Sequence, residues 1–106
     1  MYVPSAFTQQ SRFYAEIARA AQQLGPNVLS VSPTLGSNWN GEPAVFFTIV
    51  LTDAASRRDQ ILQSNNNVSN FIVQQIQPLE QWGVIPYFSF RSQSEQARID
   101  QHSLAT

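Results

Sequence analysis

The chain contains neither cysteine nor lysine, has a single histidine, and only 12% of its 106 residues are charged. Without cysteine there is no disulfide, no thiol nucleophile and no thiolate metal site, although this absence leaves the compartment open. All six cations are arginines (Arg12, Arg19, Arg57, Arg58, Arg91 and Arg98), and seven acids bring the net charge to −1, with a pI near 5.6. So sparse a positive charge argues against strong nonspecific binding to nucleic acid, which needs several cations to neutralise phosphates. Solubility rests instead on Gln, Asn and Ser. The small net charge leaves little repulsion between copies, which favours self-association or a protein partner.

Long apolar runs are also missing: none approaches the roughly 20 residues of a membrane span. The amino-terminal Met1-Tyr2-Val3-Pro4-Ser5 shows no basic region followed by an apolar core. The expectation is a soluble, cytoplasmic protein. With 42% hydrophobic residues, a chain of this length supports one core, so residues 1–106 read as a single domain with 92–106 as a loosely packed tail helix.

The apolar residues are periodic. Phe13, Ile17, Ala18, Ala21 and Leu24 recur at helical spacing across residues 5–24, and Gly25-Pro26 supplies a stop. A strand is expected over 28–32, followed by a loop over 33–43, where prolines and glycines gather around Ser37-Asn38-Trp39-Asn40-Gly41. Residues 44–52 are apolar or β-branched on both faces and predict a central strand. Asp53 offers an N-cap to a short helix through Ile61 and Leu62. Asn65-Asn66-Asn67 is expected to break it before a second helix with Val68, Phe71, Ile72, Ile76 and Leu79 on one face. Pro78 and Gly83 end that segment, and the last strand carries Pro86, which suits an edge or a strand start. A final helix over 94–104 has a thin apolar face of Ala97, Ile99 and Leu104. These segments predict an α+β fold: a three-stranded sheet with helices packed mainly on one face, ordered α-β-β-α-α-β, with an optional C-terminal helix.

Groups able to bind or react cluster after the last strand, in Arg91-Ser92-Gln93-Ser94-Glu95. An arginine beside a helix N-terminus favours an anion. Ser92 and Glu95 have the spacing of a capping box, which assigns them to starting the tail helix. Arg91 is left either as a structural ion-pair member or as a ligand or partner contact. Arg57 and Arg58 fall in the first turn of a predicted helix, where the macrodipole disfavours cations. They pair with Asp53, Asp59 or Glu42, or they meet a partner or phosphate. Trp39, among small polar residues, reads as an exposed interface anchor or as a lid folded onto the sheet edge. His102 has neither a second imidazole nor an orienting carboxylate pair, so no metal or general-base role is assigned to it. Nucleophilic triads, phosphate-binding loops and dinucleotide glycine patterns are absent, and no cofactor is expected.

Two resemblances add to this. Gly41-Glu42-Pro43-Ala44-Val45-Phe46-Phe47 through Asp53, with Pro86-Tyr87-Phe88-Ser89-Phe90-Arg91-Ser92-Gln93-Ser94-Glu95-Gln96-Ala97, resembles a pattern in short bacterial proteins of unknown function and brings no activity with it. The element order is similar to type II KH domains, in particular ribosome-binding factor A, whose helices are likewise joined by a break. That resemblance implies association with RNA or the ribosome, with Arg57, Arg58 and Arg91 as phosphate contacts. The KH family's Gly-x-x-Gly loop would fall near Ser64-Asn65-Asn66-Asn67, which has no glycine and no adjacent cation.

The sequence thus favours a non-catalytic protein-interaction or regulatory module, self-associating or bound to a protein partner. A KH-like RNA- or ribosome-associated domain is the alternative. An enzyme acting on an anionic small molecule at Arg91 is a weaker third reading, and it requires a pocket beside that residue.

Overall fold

The computed structural model describes residues 3–57 and 59–105, with side chains placed as far as Ile99. Helices α1 (Ser5–Thr8) and α2 (Gln10–Gln22) lead into strands β1 (Val28–Ser37) and β2 (Pro43–Leu51). Helices α3 (Ile61–Ile76) and α4 (Pro78–Trp82) then carry the chain across to β3 (Ile85–Ser92), which runs directly into α5 (Gln93–Ala105). The sheet order is β1-β2-β3, with β1 antiparallel and β3 parallel to the central β2. This is the α+β architecture, α-β-β-α-α-β plus a C-terminal helix, that the apolar periodicity predicts. Among the described residues no helix is long and apolar enough to cross a membrane.

Alternation along β2 sorts its side chains onto two faces. Val45, Phe47, Ile49 and Leu51 enter the core, where they join Phe13, Ile17 and Ala20 of α2, Val68, Ile72 and Ile76 of α3, and Trp82 of α4. Each large side chain fully buried there contributes roughly 1.5–3 kcal/mol. Phe47 stacks on its register partner Phe88 at 5.1 Å, and Phe13 packs against Trp82 at 5.0 Å. The Arg12 guanidinium lies 5.9 Å from the Trp82 ring centroid, closing the outer side of this cluster.

Several boundaries differ from the sequence expectation. The first helix is broken at Gln9, and Ala18 is exposed. β1 does not stop at Ser32 but continues through Pro33 and Gly36, pairing Pro33 with Phe47 and Gly36 with Ala44. Because β1 is an edge strand, a missing amide there costs less than it would in the middle of the sheet. The connection to β2 therefore shrinks to residues 38–42. The asparagine run does not break a helix either: Asn65, Asn66 and Asn67 lie inside the continuous α3. The break falls at Gln77, whose left-handed backbone (φ 51°) ends α3, and Pro78 begins α4. This change of direction turns Leu79, expected on the buried face, out to solvent.

Asp53 caps no helix of its own. Residues 53–57 form turns, and α3 begins only at Ile61. Arg57 is accordingly an exposed residue ahead of α3, where its carbonyl accepts from the amides of Gln60 and Ile61. Arg58 lies outside the described residues, as do the side chains of His102 and Leu104.

Candidate interaction surface

Helices α1 to α4 gather on the core face of the sheet; the other face is open around Phe46 and Tyr87, while Ala44 near the hairpin and Val50 at the end where α5 meets β2 and β3 are buried. Register places its side chains in rows across the three strands: Thr34, Phe46 and Tyr87; then Ser32, Thr48 and Ser89; then Ser30, Val50 and Arg91. Small hydroxyls line the flanks. The aromatic row is the apolar centre, since Phe46 and Tyr87, both 37% exposed, stack at 5.3 Å with an interplanar angle of 17°. The Phe46 ring also lies over Gly36, where an added Cβ would stand 3.6 Å from Cε2.

One end of this face is closed by the β1–β2 hairpin. The Gly41 amide donates to the Asn38 carbonyl at 2.9 Å, and Gly41 itself takes φ 81°, so the turn needs glycine at that position. The Asn38 side chain organises the rest: its Oδ1 accepts from the amides of Asn40 and Glu42, both at 2.9 Å. Its Nδ2 donates to Glu42 Oε1 at 3.2 Å and to the Tyr87 hydroxyl at 3.1 Å. This shared amide draws the Glu42 carboxylate toward Tyr87 on the open face. At the tip Trp39 is 89% exposed, so it does not fold back as a lid.

The opposite end carries Arg91 and the start of α5. The capping box forms as its spacing predicts: the Glu95 amide donates to Ser92 Oγ at 3.1 Å and the Ser92 amide to Glu95 Oε1 at 3.4 Å. Asp53 supplies the anion that such a helix start attracts. It accepts from the Ser94 hydroxyl at 2.7 Å and the Ser94 amide at 3.1 Å. The Ser94 hydroxyl first, and then the Ser94 amide, hold the Asp53 carboxyl below its ordinary value of 3.8. With these amides already engaged, Arg91 turns along the helix and donates from Nη1 to Gln96 Oε1 at 3.1 Å.

The candidate residues are therefore dispersed. Arg91 and Trp39 flank the open face at its two ends, while Arg57 stands in the segment before α3. The exposed pair Phe46 and Tyr87 was not singled out from sequence, although β2's two-sided apolar alternation was visible there. Arg91 lines none of three surface clefts of about 320, 380 and 300 Å³, the second of which adjoins the hairpin at Gly36, Ser37, Gly41 and Pro43. The first of these runs between the end of α2 and α3 and is edged by Gln23, Asn27, Ser64 and Asn67. Among the described residues no group of three or more His, Asp or Glu side chains could hold a metal ion. No family model matches the chain, and no curated protein or solved structure matches it significantly.

Proposed function

We propose that the chain is a small non-catalytic protein-interaction or regulatory module, and that its contact surface is the open sheet face with the Trp39 hairpin. The observation that carries this reading is the exposed, stacked Phe46–Tyr87 pair at the centre of a sheet face lined by small hydroxyls. Aromatic side chains that keep exposed surface on a rigid strand, ringed by polar groups, have the composition of an interface centre and its rim. Trp39 extends the surface as an anchor held by a tightly bonded turn. The net charge of −1 supports protein rather than polyanion as partner.

The test is an association measurement on the wild-type chain and three variants, with light scattering for self-association and retention of proteins from cell lysate on the immobilised chain. Phe46→Ser and Trp39→Ala should abolish or weaken the association, whereas Leu62→Ser, on the helical side and 75% exposed, should leave it intact. A strict monomer that retains nothing specific removes the reading.

The element order supports a second reading, a KH-like domain that binds RNA or the ribosome through Arg57, Arg58 and Arg91. Such binding weakens steeply with salt and on Arg91→Ala. Undetectable or salt-insensitive binding at low ionic strength rules it out.

A further inference from the structure

We infer that the open sheet face takes a second copy of this chain, packed face to face about a two-fold axis that crosses the strands at the Phe46–Tyr87 row; this rests on the reading of that face as the contact surface. An isologous interface requires that whatever lies at one distance from the axis find its complement at the same distance on the other side. The face meets this condition. Arg91 lies four positions beyond Tyr87 along β3, and Glu42 lies four positions before Phe46, in the hairpin just ahead of β2, with Phe46 and Tyr87 in register. At about 3.3 Å per residue both stand roughly 13 Å from the aromatic row, on opposite sides of it.

Because β2 and β3 run in parallel, a two-fold across them reverses both strands at once. It places Arg91 of each copy over the hairpin of the other, where Asn38 holds the Glu42 carboxylate toward β3 beside the Tyr87 hydroxyl. Within one chain the two charges sit at opposite ends of the face and cannot pair. Between copies they meet twice. At the axis, Phe46 and Tyr87 meet their own counterparts, and Trp39 reaches the partner's Arg91 end.

Area sets the strength. Three strands about 4.8 Å apart and about 26 Å long present a flat footprint of at most about 400 Å², since Val50 at the Arg91 end is already buried within the chain. A buried tryptophan adds about 150–250 Å². The total falls below the roughly 800 Å² per partner of a standard stable complex, so the pairing is reversible and concentration-dependent. A net charge of −1 per chain opposes it little.

Sedimentation equilibrium from about 10 µM to about 1 mM covers the affinities expected of so small an interface. A monomer–dimer equilibrium is expected. Arg91→Glu or Glu42→Arg should each weaken it by about 10-fold, because every dimer holds two such pairs, and the combined variant should recover it to within about 3-fold. Phe46→Ser, which leaves both charges in place, should also weaken it, with far-UV circular dichroism confirming the fold of every variant. A monomer across the whole range, a dimer indifferent to both single charge reversals, or a combined variant that fails to recover overturns the proposal. A monomer that binds a different protein through Phe46 overturns self-pairing and leaves the module reading standing. A monomer with no Phe46-dependent partner removes both.

Discussion

Phe46 and Phe47 are neighbours in the chain and opposites in environment, so replacing each with alanine reads out the two faces of the sheet separately. Phe47 is 1% exposed and stacked on Phe88 within the core. Its truncation opens a cavity under the helices and costs about 3–5 kcal/mol. That is a large share of the roughly 5–15 kcal/mol that holds a domain of this size together. Phe46 keeps 37% of its surface in water and loses mainly its stack on Tyr87 and its cover over Gly36. An aromatic pair contributes about 0.5–1.5 kcal/mol beyond area, so with partial reexposure Phe46→Ala costs about 1–2 kcal/mol. Urea unfolding followed by tryptophan fluorescence measures both, since Trp82 is buried against Phe13 and reports on the core. Working at low micromolar concentration keeps any self-association out of the comparison. The Phe47→Ala midpoint should fall at least twice as far as that of Phe46→Ala, with little change in slope. Equal losses, or the larger loss at Phe46, would refute the assignment of faces.

Two further outcomes follow from local geometry. Gly41→Ala should destabilise the hairpin by about 1–2 kcal/mol, because φ 81° is costly for an L side chain although nothing crowds the site; an unchanged melting temperature would contradict this. The lowered carboxyl of Asp53 means that its bond to Ser94 adds stability above pH 3.8, and that this stability is lost as pH falls through the lower folded-state value. The start of α5 should therefore loosen in that acid window, seen as faster exchange of the Ser94 amide. Asp53→Asn should remove most of this pH dependence, and an unaltered profile in the variant would count against the cap.

Much of the fold was legible where side-chain chemistry acts locally. The alternation of residues 44–52 marked the central strand, and the Ser92–Glu95 spacing marked the start of α5. Misreadings arose where tertiary contacts outweigh local preference. Pro33 and Gly36 look like loop residues, yet pairing with Phe47 and Ala44 holds them in β1. Each asparagine of 65–67 costs a helix only about 0.5–0.7 kcal/mol. Burial of Val68, Ile72 and Ile76 outweighs that and keeps α3 whole. Asp53 reads as the cap of the segment that follows it, but it binds instead the start of α5, 41 residues away at Ser94, which no local pattern encodes. The open face was hidden for a related reason. Alternation shows that β2 has two apolar sides, but which side the helices cover is decided only by the crossover between β2 and β3.

The most direct test of the open face as the contact surface is a dilution series of amide proton–nitrogen spectra, from about 1 mM down to about 10 µM, spanning the weak affinities expected. Concentration-dependent shifts are expected in residues 30–36, 38–50 and 87–91, and none on the outward surfaces of α2 and α3. Spectra that do not change with concentration, or changes centred on those helices, would contradict it.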